Sequence, residues 1–398
     1  MKAKKLWYKG YSINSDVEDY IAGEEYLLDL KIARYDCIAS IAHAKMLARI
    51  GILTPKEASK LCSSLNTIIK LLEQGKFEIT KENEDCHTAI ENYLTENLGQ
   101  LGKKIHTGRS RNDQVLVALR LYSKENLNSC ISLAKKLTSS MLHFKGKYGD
   151  IKLPGYTHTR KAMPSSVKLW TDAFIDAIND DISLLEAALR LIDQSPLGTG
   201  AGYGSPIKLD REYTAKELSF SRIQANPIYA QLSRGKFEAT ILHALSQIML
   251  DLNRLSAELI LFTMPEFGYY ELPREFTTGS SMMPNKRNPD FLELMRAKYH
   301  IIIGYEFQVQ SLIANLPTGY NADLSLTKAP LIKGFGITGT SLKIAALLFK
   351  NLRVNRQNCA KAMSDDLYAT SRAYDLVSRG VPFRDAYKKI ADEYGKNV

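Results

Sequence analysis

No proline interrupts the chain between Pro227 and Pro265, and Ile241, Leu245, Ile248, Leu252, Leu255 and Leu259 recur there in alternating steps of four and three residues. A period near 3.5 is a heptad seam, so the pattern predicts a helix over 237–261. At 1.5 Å per residue that helix runs about 40 Å, longer than the core of a small domain is wide. Trp170, Phe174, Ile178, Ile182, Leu185, Leu189 and Ile192 form a second long apolar stripe, with its start expected at Pro164, and a third pattern follows Pro289. Val115, Ala118, Leu119 and Tyr122 mark a further helix opening just after residues 107–113. Alternating apolar and polar positions are nearly absent, so an all-α architecture is expected. The stripes alone fit an ordinary intramolecular core. Ile260 and Leu261, beside the seam, add a second apolar face, which neighbours from other subunits would cover best.

Composition narrows the class. With 398 residues, 45% hydrophobic and 24% charged, this is an ordinary globular composition, long enough for two or three domains. No run approaches the roughly 18 apolar residues that a membrane span needs. Residues 1–16 carry lysines without the apolar stretch of a signal peptide, so a cytoplasmic location is expected and no membrane partner. The five cysteines are scattered, with no Cys-x-x-Cys pair, which indicates thiols rather than disulfides or a zinc site. The net charge of +10 is dispersed, and beyond Lys2–Lys5 no basic run is interleaved with aromatics. Nucleic-acid binding is therefore not expected, whereas a positive field would draw a polycarboxylate toward a cleft.

Chemistry concentrates in residues 278–290, Thr-Gly-Ser-Ser-Met-Met-Pro-Asn-Lys-Arg-Asn-Pro-Asp, a loop limited by glycine and proline between two helical patterns. A solvated linker is also rich in serine, glycine and proline. What a linker does not need is a hydroxyl at Ser280 or Ser281 beside a glycine, a cation at Lys286 and an amide at Asn288. Together they can present an Oγ among free backbone N–H groups and hold an oxyanion.

Three other segments add candidates. Residues 107–113, Thr-Gly-Arg-Ser-Arg-Asn-Asp, precede a helix. They read either as a plain N-cap box or as an anion site, because helix N–H groups there add to the charges of Arg109 and Arg111. His158 follows what reads as a Pro154-Gly155 turn, just before the helix start expected at Pro164. His87 and Glu91 stand four apart, too few ligands for a zinc site, and His87 is expected to line or support a substrate cleft. Gly198, Gly200, Gly202 and Gly204 miss the Gly-x-Gly-x-x-Gly register and read as a close-packing turn. His43, His143, His243 and His300 fall inside helical patterns and are assigned no chemistry.

These segments, with Lys5-Leu6-Trp7, residues 36–44 (Asp-Cys-Ile-Ala-Ser-Ile-Ala-His-Ala), 106–114, 153–164, 196–205, 293–298 and 380–387, resemble the fumarase/aspartase superfamily of lyases in its argininosuccinate lyase branch. The resemblance covers most of the chain. It implies an all-α fold of three domains, at 1–107, 108–353 and 354–398, with central long helices bundled in a homotetramer. It implies no cofactor and no metal, argininosuccinate as substrate, and active sites that each draw residues from three subunits. Ser280 would remove the proton next to a carboxylate, and Lys286 and Asn288 would stabilise the resulting dianion. His158, paired with Glu293, would handle the proton at the departing nitrogen. Ser110, Arg111, Asn112, Thr157, Tyr320, Ser325 and Lys328 would bind substrate, with His87 in support.

The chain departs from the family pattern in places. Ser325 stands where a glutamine is expected, Glu25 where many members have serine, Thr159-Arg160 where Leu-Gln is usual, and Arg287 in place of a second loop lysine. The chain also ends soon after Tyr387. These differences leave open a related lyase acting on another N-substituted aspartate, and the inactive δ-crystallins share the fold.

Overall fold

The structure, a computed structural model, describes residues 14–23 and 25–395; Lys5-Leu6-Trp7 and the basic run before it lie outside that range. In chain order the helices are α1 (Ser15–Ala22), α2 (Glu25–Asp29), α3 (Ala33–Arg49), α4 (Pro55–Glu73), α5 (Cys86–Leu98), α6 (Arg111–Tyr148), α7 (Val167–Ile192) and α8 (Arg211–Glu217). They continue as α9 (Pro227–Leu232), α10 (Lys236–Phe262), α11 (Asp290–Ile313), α12 (Lys328–Asn351), α13 (Arg356–Ala362), α14 (Ala369–Ser378) and α15 (Phe383–Gly395). The architecture is all-α. Its strands, β1 (Lys152–Thr157), β2 (Arg160–Ser166), β3 (Gln194–Ser195), β4 (Arg222–Ile223), β5 (Tyr270–Glu271) and β6 (Arg353–Val354), form three two-stranded ribbons.

The helix expected over 237–261 lies inside α10 with one residue to spare at each end, and all six seam residues are buried within the chain. The third pattern is α11, opening directly after Pro289. Two expectations need correction. The longest helix is α6, at 38 residues, of which only the opening was legible. Its buried positions mix Leu127, Leu137 and Phe144 with Ser123, Cys130, Thr138 and Ser140, which breaks the apolar stripe that periodicity relies on. The second long helix begins at Val167 rather than Pro164, because residues 152–166 form an antiparallel hairpin in which Pro154 faces Pro164. Proline gives no N–H to a ladder, and with the two prolines opposite one another the missing donors fall at one register position.

The chain divides into two compact units that are discontinuous in sequence. Unit 1 takes the described part of Met1–Cys130 with Leu184–Leu245 and Ile302–Gly336; unit 2 takes Ile131–Ser183, Ser246–Ile301 and the described part of Ile337–Val398. In unit 1, α3 and α4 pack as a helical hairpin, and α4 is opened by a capping box in which Thr54 and Glu57 exchange side-chain and backbone hydrogen bonds. The small Ala39 and Ala42 bring α3 close to Val117, Leu197, Leu218 and Phe220. Arg120 is buried beside them, donating to the Gln194 carbonyl and Gln224 Oε1 at 2.7 Å each. Unit 2 is built on aromatics: Phe144, Trp170, Phe262, Tyr270 and Phe349 contact one another with ring centroids 5.1 to 6.4 Å apart.

Segment Ala322–Asn351 corrects the expectation about membrane spans: it is long and apolar enough to cross a membrane by length and composition. Within it, 56% of the most apolar stretch is buried in the protein, as in a core helix. Leu252 is fully buried on α10, so Leu252→Ala should lose about 2–5 kcal/mol in denaturant unfolding. A loss below about 1 kcal/mol would mean that Leu252 is not part of the core of unit 2.

Candidate active site

Unit 1 holds a cavity of about 530 Å³. Of the residues expected to bind substrate, His87, Ser110, Arg111, Asn112, Tyr320, Ser325 and Lys328 all line it. The sequence folds locally to place them. Ser110 precedes α6 and its Oγ accepts the Asn112 N–H at 3.3 Å, while Asp113 Oδ1 accepts the Ser110 N–H at 2.8 Å. The N-cap reading of 107–113 is therefore correct as local structure, and the cap leaves Arg111 and Asn112 on the cavity wall. The other oxygen of Asp113 takes the N–H groups of Gly198 at 2.9 Å and Gly200 at 3.2 Å. Both glycines have positive φ, and a Cβ on Gly200 would lie 2.7 Å from the Gly204 carbonyl oxygen, which only glycine avoids. Burial pushes the Asp113 carboxyl up to about 6 even with these donors.

Buried carboxylates hold the cationic wall. Asp85 caps α5 through Oδ1 and accepts Arg111 through Oδ2 at 3.1 Å. Asp36 Oδ2 lies 2.7 Å from His87 Nδ1, with both side chains almost fully buried. Burial disfavours the charged imidazole, but Asp36, with Asp85 and Asp29, outweighs it and raises the pKa of His87 above the usual range. Burial likewise opposes the charge of Asp36, and His87 overrides it and lowers that pKa. His87 Nε2 has no hydrogen-bond partner among the described residues, so a buried N–H is left for a ligand. Lys328, 2% exposed, donates to both Glu25 and Asp29. Arg109 donates to Ser40 at 2.8 Å, and burial, with Arg109 next in weight, drives His106 down to about 4.

Asp29, Cys86 and His87 bring potential metal-ligating atoms within 4.8 Å of one another. Asp29 already receives the Lys328 ammonium and the Cys86 N–H, and His87 Nδ1 is bound to Asp36. The Cys86 thiol is pushed well up by burial. This donor set is committed to an ion-pair network and does not fit a cation.

The remaining candidates belong to unit 2. Ser280 Oγ accepts the N–H groups of Met282 at 3.2 Å and Met283 at 3.0 Å, donors that would favour an alkoxide. Ser281 makes no side-chain hydrogen bond among the described residues and is exposed. The loop closes on itself through a Thr278–Asn288 bridge, and Asn288 Nδ2 donates to the Gly279 carbonyl at 3.4 Å. Lys286 and Glu293 are exposed. His158 is also exposed and occupies, with Thr159, the tip of the β1–β2 hairpin, both at positive φ (52° and 57°). Thr157 ends β1 beside them. Among the described residues no hydrogen bond or ion pair joins His158 to Glu293. The Pro154-Gly155 turn expected before His158 is instead a strand segment with a register shift at Gly155/Tyr156.

Sequence reading passed over Asp36, Asp29 and Arg234 as site residues. Each is nine-tenths or more buried, and the signal available was a charge inside an apolar run, as with Asp36 before Cys37-Ile38-Ala39. Arg234 is set by Gly235, whose φ is +79° and whose added Cβ would meet Ile313 Cγ2 at 2.2 Å.

An all-helical fold with a cavity of cations backed by carboxylates defines a protein for small polyanions. A lyase family profile matches residues 11–304. Argininosuccinate lyase of Thermotoga neapolitana is 50% identical over 394 residues, covering 99% of each chain. That of Xanthomonas oryzae is 42% identical over 97% of this chain and 90% of its own. The chain belongs to this lyase family. Among solved structures, a fumarate lyase:delta crystallin from Brucella melitensis matches with a TM-score of 0.79 at 19% identity, over 98% of this chain and 87% of its own. An EDDS lyase in complex with formate matches with a TM-score of 0.78 at 23% identity, over 96% of this chain and 76% of its own. These likenesses carry the fold.

The Asp36–His87 pair predicts a pH dependence. A histidine whose folded pKa is raised adds stability that is complete below its unfolded value, near 6.5, and lost as pH rises through the folded value. The Tm advantage of wild type over Asp36→Asn should therefore shrink as pH climbs above about 6.5. An advantage that grows in that range would rule out an ionised pair.

Proposed function

We propose that the protein is an argininosuccinate lyase, converting argininosuccinate to arginine and fumarate by anti elimination without a cofactor. The observation that carries this reading is the set of buried donors on the cavity wall that lack partners: His87 Nε2, Arg109 Nε, Arg111 Nη2 and Arg234 Nε. Buried donors are kept where a ligand supplies acceptors, and four of them in one cavity suit a substrate with several carboxylates.

Ser280 takes the proton from the carbon next to the substrate carboxylate, its alkoxide favoured by the Met282 and Met283 N–H groups. The electron pair moves into that carboxylate, and Lys286 and Asn288 stabilise the doubly charged intermediate. Collapse of the intermediate breaks the carbon–nitrogen bond, while His158, oriented by Glu293, delivers a proton to the departing guanidino nitrogen. Ser110, Arg111, Asn112, Thr157, Tyr320, Ser325 and Lys328 bind the substrate, with His87 charged behind them. We assign the protein to a homotetramer in the cytoplasm, its chain divided at 1–107, 108–353 and 354–398, with each active site drawing on three subunits. The 46% exposed Leu261 on α10 and the lack of a His158–Glu293 contact within one chain support that assembly.

Fumarate release, followed by ultraviolet absorbance with argininosuccinate, adenylosuccinate and aspartate offered separately, is the test. Release from argininosuccinate alone is expected, and release only from another substrate would replace the assignment. Ser280→Ala should lower kcat by about 10²- to 10⁴-fold and Ser281→Ala should leave it near wild type; near-normal turnover in Ser280→Ala would discard the assigned base. Inactive Ser280→Ala and His158→Asn proteins, unfolded and refolded together, should recover part of the activity, because some mixed sites keep both native residues. No recovery would argue against sharing between chains.

A further inference from the structure

Two polar contacts between α7 and α10 of unit 2 differ in where their proton comes from. At one, the Trp170 indole N–H donates to the Glu258 carboxylate, so a permanent donor meets an ionised acceptor. At the other, the side chains of Asp181 and Asp251 are hydrogen-bonded to each other. An ionised carboxylate only accepts. This second bond therefore exists only while one of the two carboxyls holds a proton.

The surroundings keep that proton in place. Asp181 is 3% exposed, and Ile178 and Ile182 on its own helix are buried, as are Ile248 and Leu252 flanking Asp251 on α10. Asp181 Oδ2 is sealed from solvent and has no hydrogen-bond partner among the described residues. That is a costly place for a carboxylate oxygen and a tolerable one for the uncharged oxygen of a carboxylic acid. Charges nearby give no relief. Arg254 lies 3.8 Å from Asp251, but its side chain is 67% exposed and its field is screened by water. Asp180, next to Asp181 on α7, adds a further negative charge, and among the described residues no charged group of another element acts on either carboxyl. Burial, with Asp251 next in weight, pushes the Asp181 carboxyl up to about 8, and burial raises Asp251 as well.

We propose that Asp181 and Asp251 share one proton and act as a pH-sensitive clamp between α7 and α10, closed by the proton and opened by the repulsion of two facing carboxylates once it is lost. The strand β2 runs into α7 without a break, from Ser166 to Val167, so α7 is the footing of the hairpin that carries His158. A carboxyl whose folded pKa is raised contributes stability that is complete below its unfolded value, about 3.9, and is lost as pH climbs through the folded value, here about 8. The clamp is independent of the proposed activity, and stability is the property that tests it.

Chemical unfolding of the full chain at one protein concentration compares wild type with Asp181→Asn, whose amide donates to Asp251 at every pH. The unfolding constant of wild type divided by that of Asp181→Asn should rise about tenfold per pH unit between about 5 and 7 and level off above about 8. A flat or falling ratio would overturn the clamp. Should Asp181→Asn fail to fold, the infrared carbonyl band of a protonated carboxyl decides. Wild type should show it at about pH 7 and lose it with a midpoint near 8, and Asp251→Asn, which lacks the like charge, should move that midpoint down. No such band in wild type, or a midpoint unmoved in Asp251→Asn, would also overturn the shared proton.

Discussion

Four permanent cations share the wall of one cavity with two histidines, one of which, His87, is held charged, and the mutual repulsion of these charges is the constraint around which unit 1 is organised. Each charge taken from water costs several kcal/mol unless partners replace the solvent. The solution is a layer of carboxylates behind the wall: Asp36 under His87, Asp85 under Arg111, Asp29 and Glu25 around Lys328. These acids do structural work as well. Asp85 caps α5, Asp29 accepts the Cys86 N–H at the start of the same helix, and Asp113 ties the head of α6 to the Gly198–Gly200 turn. The groups that charge the site also fix the backbone that presents it, so loss of one acid should disturb geometry and electrostatics together.

The division of chemistry between the units follows from local backbone needs. The residues proposed for anion binding in unit 1 sit at helix starts, where N–H groups are free and capping side chains are in demand. The groups proposed for proton transfer in unit 2 sit on non-helical backbone, a hairpin tip and a loop closed by the Thr278–Asn288 bridge. A helix would consume the N–H groups that the Ser280 oxygen receives from Met282 and Met283. An all-α scaffold therefore departs from helix where an oxygen nucleophile or base needs main-chain donors.

What could be read from the chain tracks how local the determinant is. The α10 seam is periodic, so its extent and its buried residues were legible to within a residue. The β1–β2 hairpin was not, because its strands follow no alternation and two prolines argued against a ladder; pairing across the ribbon decides it. For the site, residues 107–113 and 278–290 announced themselves by composition. Arg234, Asp29 and Asp36 did not, since a buried charge in sequence looks the same as a solvated one until its partner, 51 residues away for Asp36 and His87, is known. Lys328 was expected to bind substrate, and its two acidic partners, some 300 residues distant, could not be read from the chain.

The hairpin tip shows how strain and function meet. A two-residue turn between Thr157 and Arg160 requires positive φ at both central positions, which Asn-Gly or Gly-Gly would adopt at little cost. Here the positions are His158 and Thr159, and a β-branched threonine at φ 57° is an outlier with a cost on the order of 1–3 kcal/mol. The ribbon over-determines the turn through six paired positions, Lys152–Ser166 to Thr157–Arg160, and so can carry that strain. A glycine at 158 would relax the backbone but remove the imidazole; a longer loop would relax it but let the ring wander. A tight turn on a rigid ribbon is the arrangement that holds a histidine out in solvent with little freedom, which is what the proposed sharing of a site between chains would ask of it.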